Sequence, residues 1–217
     1  MKKYMTACLT LMLLAGILAG CTPNTTTEPS ASESKQATTN AAPPAIQSDS
    51  EALSTQGLQA YQHFEYDKAI ALYDKAIDAD HNNYKAYSGK GIAMAMRGNA
   101  TGNKNDVSSG IAYIQKALSL YPDYVPTFYD LALACKINGQ YEIAIQYFQK
   151  VIDAEPDNTW SYYGIATIYG DKGQAKEAVS YLKKAIALDP QPVKEAARTQ
   201  SHFDKIRNNA NFQTLIQ

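Results

Sequence analysis

Four segments of this chain repeat one pattern, and that repetition restricts its fold more than any single motif. They are YDKAIALYDKAIDADHNN from Tyr66, VSSGIAYIQKALSLYPDY from Val107, YEIAIQYFQKVIDAEPDN from Tyr141 and AKEAVSYLKKAIALDPQP from Ala175. In the third, Tyr141, Ala144, Ile145, Phe148, Ile152 and Ala154 form an apolar stripe at helical spacing, and Pro156 closes it. The segment starts are separated by 41, 34 and 34 residues. Self-similarity at such a period predicts a stacked array and not a core built from unrelated elements. Each segment follows another helical stretch: EALSTQGLQAYQHF, KAYSGKGIAMAMRG, TFYDLALACKINGQ or SYYGIATIYGDKGQ.

Two helices pack closely only where small side chains let their backbones approach. Gly57, Gly91, Ala132 and Ala166 supply this in the first helices, and Ala69, Gly110, Ala144 and Ala178 in the second. Leu53, Tyr87, Phe128 and Tyr162 then fill the gaps from one side, with Tyr73, Ile114, Phe148 and Leu182 from the other. Gly98, Gly139 and Gly173 are placed in the turns, where positive φ is often required. Pro122, Pro156 and Pro190 end the second helices.

These paired segments resemble the tetratricopeptide repeat, a helix–turn–helix unit of about 34 residues. The resemblance covers residues 51–192, divided as 51–83, 84–124, 125–158 and 159–192. It implies an all-α solenoid of about four repeats, with residues 193–217 as a C-terminal capping helix and tail anchored by Phe203, Ile206, Phe212 and Leu215. Some positions depart from the pattern. Phe64 stands where later repeats have a turn glycine, and His81 where they have proline. Lys90 takes an apolar position and is expected to bury its stem while its head reaches water. The second repeat holds about seven extra residues around 99–105, polar and rich in Gly and Asn, which read as a lengthened loop.

The N-terminus carries a separate message. MKKYM followed by the apolar run Ala7–Gly20 has the form of an export signal, and the run is short for a membrane span. Leu18-Ala19-Gly20-Cys21 resembles the bacterial lipoprotein lipobox. That resemblance implies a signal peptide over 1–20 and lipidation of Cys21, whose thiol accepts a diacylglyceryl group as a thioether. Two or more acyl chains give stable anchoring where one gives marginal binding. Residues 21–50 contain Ile46 as their one large aliphatic side chain between Thr22 and Ser48, and are expected to be a disordered linker. Cys135 is then the remaining thiol of the anchored chain, and a buried packing role suits it.

Removal of Lys2 and Lys3 with the signal leaves 18 basic against 21 acidic residues. A mildly acidic chain with three Arg lacks the clustered positive charge that nucleic acid demands. No catalytic, metal or cofactor motif emerges. Residues 98–104 depart from a phosphate-binding loop and follow no strand. Residues 78–89 fail as a calcium loop at Asn83 and Gly89. His63, His81 and His202 show no ligand spacing.

What remains is surface. The family resemblance implies that the first helices line a groove for a protein or peptide partner, here formed by Lys85, Ser88 and Ile92, then Tyr129, Leu133 and Lys136, then Trp160, Tyr163 and Thr167. Its aromatics suit an apolar or aromatic segment. Their competing role is packing against neighbouring repeats or the C-terminal cap. The expected function is a non-catalytic, membrane-anchored interaction scaffold outside the cytoplasm, at the bacterial cell envelope. The alternatives are a structural subunit of an envelope assembly machine and a regulator of, or participant in, envelope hydrolysis.

Overall fold

A computed structural model describes residues 42–217. The signal segment, Cys21 and most of the expected linker lie outside the described residues. The described chain is all-α. It runs α1 (Ser48–Gln62), α2 (Tyr66–Ala79), α3 (Tyr84–Thr101), α4 (Lys104–Leu120), α5 (Val125–Ile137), α6 (Tyr141–Ala154), α7 (Thr159–Asp171), α8 (Ala175–Leu188) and α9 (Pro190–Thr199). A 3-10 segment, Ser201–Ile206, and α10 (Ala210–Ile216) close it. No helix among the described residues is long and apolar enough to cross a membrane.

Successive helices pack as pairs, α1 on α2 through α7 on α8, while α1, α3 and α5 also touch in sequence to make one wall. The small-residue seams are buried: Ala69, Ala132, Ala144, Ala166 and Ala178 expose nothing to solvent. A Cβ on Gly91 would fall 2.5 Å from the Gly110 carbonyl oxygen, so α3 and α4 cross with backbones in contact. Ile114, Phe148 and Leu182 fill the spaces beside these crossings and are buried. Cys135 is buried as expected, and burial pushes its thiol up to about 11.

The first helices of the second and fourth pairs are started by asparagine. Asn83 Oδ1 accepts from the Ala86 N–H at 2.9 Å, and Asn158 Oδ1 from the Ser161 N–H at 3.1 Å. Asn83 also ties α3 to α1, since its Nδ2 donates to Ser50 Oγ at 2.7 Å and Ser54 Oγ at 2.9 Å. That buried network explains why α1 begins at Ser48, ahead of the expected boundary at 51.

Three expectations are corrected. Residues 99–105 are not a lengthened loop. Asn99-Ala100-Thr101 continue α3, Gly102 ends it at φ 72°, and Asn103 caps α4, so the extra residues lengthen both helices. Gly98 therefore lies inside α3 and not in a turn. It stays small because a Cβ there would meet the Asn103 carbonyl oxygen at 2.7 Å. The turn glycines with positive φ are Gly102, Gly139 and Gly173, and Phe64 takes the same left-handed conformation at φ 61°. Lys90 does not send its head to water. Its Nζ pairs with Asp74 at 2.5 Å and lies 3.9 Å from the centre of the Tyr113 ring, partners that come from the helices on either side of α3.

Beyond α8, Pro190 starts α9 at once. Phe203, Ile206 and Phe212 are buried against α7, α8 and α9, with Leu215 half-buried.

Candidate functional site

Two hollows open on the wall of first helices. The N-terminal hollow lies between α1, α3 and the start of α5 and encloses about 380 Å³. The C-terminal hollow lies between α5, α7 and the 3-10 segment and encloses about 450 Å³. The nine groove residues chosen from the sequence divide between them. Lys85, Ser88 and Ile92 line the first. Tyr129, Leu133, Lys136, Trp160, Tyr163 and Thr167 line the second.

Depth separates their roles. Ser88, Ile92, Tyr163 and Thr167 are buried and form floor, while Lys85, Tyr129, Leu133 and Lys136 are half-buried. Trp160, 42% exposed, stands at the rim. Thr167 Oγ1 donates to the Gly164 carbonyl at 2.7 Å and is committed to its own helix. Tyr163 is held from the C-terminal cap: its hydroxyl donates to Gln200 Oε1 at 2.9 Å, and its ring meets Phe203 edge-on at 5.9 Å. It also meets Trp160 edge-on at 5.4 Å. Tyr129 rests edge-on against Phe148 at 5.6 Å. These aromatics both pack internally and face a hollow.

The fold adds residues that the linear sequence hides. His202, 66 positions after Lys136, brings its Nε2 to 3.2 Å from Lys136 Nζ. His202 Nδ1 lies 2.9 Å from Asp171 Oδ2. With the Nδ1–H donating to Asp171, Nε2 is left to accept from the lysine ammonium. Burial lowers Lys136 to about 8, against the opposing pull of the Asp171 charge. An ammonium has three donors, and His202 takes one, so two remain for acceptors entering the hollow. Gly170 sets this arrangement, because a Cβ there would fall 2.5 Å from the His202 carbonyl oxygen.

The N-terminal hollow has the opposite character. Lys85 Nζ pairs with Glu51 Oε1 across the rim at 2.6 Å. Asp130, on α5, accepts from Ser88 Oγ at 2.8 Å. Burial pushes the Asp130 carboxyl up to about 7, with the Ser88 hydrogen bond pulling the other way. Tyr61, Tyr73 and Tyr124 surround the space with rings. No signal in the linear sequence marks Asp130, since a lone acid in a helix reads as a solvated residue. Among the described residues, no group of three His, Cys, Asp or Glu side chains is placed to hold a metal ion.

Comparison with known proteins agrees with this architecture. Tetratricopeptide repeat models match residues 113–146 and 137–201. MamA from Desulfovibrio magneticus RS-1 has a similar fold, with a TM-score of 0.55 and 18% identity over 79% of this chain and 96% of that one. YrrB, described as a tetratricopeptide protein with an unusual peptide-binding site, gives 0.52 and 19% over 75% of this chain and 80% of its own. An uncharacterized protein of Methanocaldococcus jannaschii is 42% identical over 48 residues, which is 22% of this chain and 56% of that relative. The match thus spans little more than half of the relative's length. Tetratricopeptide repeats are recognised in this chain, and its described fold is the all-α solenoid of helix pairs that such repeats build.

Proposed function

We propose that the chain is a lipid-anchored scaffold at a bacterial envelope, tethered through Cys21 and a spacer that ends before α1 at Ser48, whose C-terminal hollow grips a segment of a protein partner. One observation carries the reading. Six residues chosen from the sequence, from three separate repeat positions on α5 and α7, converge on one hollow of about 450 Å³ with a rim tryptophan and a lysine whose donors are not all used. Exposed Trp160 beside Tyr129 offers rigid aromatic area, which is the composition of interface anchors. That YrrB is described as binding peptide supports a similar use of this fold.

The test is in-cell cross-linking with mass spectrometry on the wild type and on the Trp160→Ala, Tyr129→Ala double variant. Partner recovery is expected to fall at least tenfold while circular dichroism stays helical. Unchanged recovery rejects the C-terminal hollow as the contact. The anchor is tested separately: Cys21→Ala should leave the membrane fraction, and retention there removes the lipid anchor from the reading.

A further inference from the structure

The N-terminal hollow holds a carboxyl group that the repeat architecture does not require. Asp130 Oδ2 accepts from Ser88 Oγ at 2.8 Å, and no basic side chain among the described residues is a source of compensation for its charge. Lys85, the base of this hollow, is already engaged by Glu51 Oε1. Glu51, whose side chain is 41% exposed and whose Oε1 holds Lys85, turns its other oxygen, Oε2, inward, where it accepts no hydrogen bond from the described residues. Two carboxylates with spare acceptor capacity therefore line the same space of about 380 Å³.

The remaining walls favour a cation. Tyr61, Tyr73 and Tyr124 line the hollow, and burial raises each phenol above its ordinary value, with the Asp130 charge adding to it. The rings stay neutral and present π-faces or edges, and a desolvated cation over such a face gains up to about 2 kcal/mol. An anion or a purely apolar group gains nothing from Asp130 and leaves it desolvated.

We propose that this hollow receives the ammonium group of a lysine side chain carried by a partner, held between Asp130 and Glu51 and walled by tyrosine rings. The proposal rests on the first-helix wall being a partner surface, but it concerns a different hollow from the one that holds Trp160.

Ligand binding here is linked to protons. The other charged or titratable groups facing Asp130 are Glu51 and Tyr61 on α1, Tyr73 on α2, Lys85 on α3, Tyr124 before α5 and Tyr129 on α5, with Glu155 after α6 beyond Pro126. None is a base free to hold the carboxylate ionised. A bound ammonium favours the ionised form, so binding expels a proton whenever Asp130 starts protonated. Affinity should therefore rise with pH up to about 7 and level off above it.

The probe is a capped Gly-Gly-Lys-Gly-Gly peptide titrated into the full chain and followed by amide NMR shifts, with a norleucine peptide as the uncharged counterpart. The lysine peptide should perturb the Ser88 and Tyr124 amides, bind about tenfold more weakly at pH 6 than at pH 8, and lower the Asp130 titration midpoint measured by carboxyl ¹³C shift. Asp130→Asn should abolish binding, and Glu51→Gln should weaken it in a chain whose Asp130 is intact. Equal binding of the norleucine peptide, or a midpoint unmoved by the lysine peptide in the wild type, overturns the proposal. Trp160→Ala should leave lysine-peptide binding unchanged, which separates failure of this site from failure of the C-terminal hollow.

Discussion

The hollow between α1, α3 and α5 draws in a half-buried carboxyl, whereas the hollow between α5, α7 and the 3-10 segment draws in a half-buried amine. Asp130 has a hydroxyl for company and Lys136 an imidazole nitrogen, so neither receives a full counter-charge at its own atom. Both sit on α5, six positions apart in sequence, yet they face different hollows. A fold selected for stability alone would pair such groups or replace them, since a buried charge without its complement is a net penalty. Lys90 shows that this chain can do so: it enters the core and meets Asp74 and the Tyr113 ring. That contrast, with Lys90 paired and the two α5 groups left without a full counter-charge, is the ground on which both proposed partner sites rest.

The largest effect should come from removing the support of one hollow only. Phe148, 1% exposed, backs Tyr129 and would clash with any Cβ on Gly164. Phe148→Ala should cost about 3–5 kcal/mol. In a repeat array the loss should stay mostly local to neighbouring pairs. Hydrogen exchange should accelerate through α5–α8 while α1–α3 amides keep their protection, and lysine-peptide binding, which shares α5 through Asp130, should weaken less than the Trp160-dependent capture. Equal acceleration in both halves would make the two hollows one cooperative unit and end the comparison.

A sharper test uses pH, because Asp130 and Lys136 respond in opposite directions. Asp130 titrates near 7 when folded, above its ordinary 3.8, so its stability contribution is complete below about pH 4 and is lost as pH rises through about 7. Lys136 titrates near 8 when folded, below its ordinary 10.5, so its contribution is complete above about pH 10 and is lost as pH falls through about 8. Both penalties are therefore present together near neutrality. Asp130→Asn should gain on the order of 1–2 kcal/mol at pH 8 and nothing at pH 4. Lys136→Met should gain a similar amount at pH 7 and nothing above pH 10. Urea unfolding across pH reads both, and parallel profiles in the two variants would show that neither group titrates as described.

The sequence carried the repeat pattern but much less of this charge arrangement, for physical reasons. Seams and turns obey local rules: Ala144 must be small where helices cross, and Gly139 and Gly173 must be free to take positive φ. Those constraints act within a few residues and leave a periodic trace. In the 99–105 stretch Gly and Asn suggest a loop, whereas one αL glycine and one asparagine cap suffice to turn the chain between two longer helices. The Asp171–His202–Lys136 contacts join α7, the 3-10 segment and α5, and no spacing rule links residues brought together by a folded-back tail. Lys136 and Trp160 follow from the family resemblance, which implies that first-helix positions line a groove. Asp130, the neighbour of Tyr129, does not, because its meaning comes from what fails to surround it.

The smallest expected effect is a control that stabilises one end of the array while touching neither charge. Phe64 is 76% exposed and holds φ 61°, a conformation that penalises a side chain with Cβ. The corresponding later turns use Gly139 at φ 76° and Gly173 at φ 72°. Its ring makes one edge-on contact with Tyr66 at 6.4 Å, too slight to offset that strain. Phe64→Gly should therefore gain about 0.5–1 kcal/mol, allowing for the greater freedom of glycine in the unfolded chain. Because no titrating group is altered, the gain should be the same at pH 4, 7 and 10. It should also leave lysine-peptide affinity unchanged, which separates the stability of α1 and α2 from the chemistry of the hollow they help to wall. A gain that changed at acid pH would report the Glu65–Lys68 pair beside the turn; a gain that changed near pH 7 would mean that the α1–α2 turn is coupled to Asp130, and the carboxyl's unpaired state would then belong to the packing of the first repeat and not to a waiting ligand.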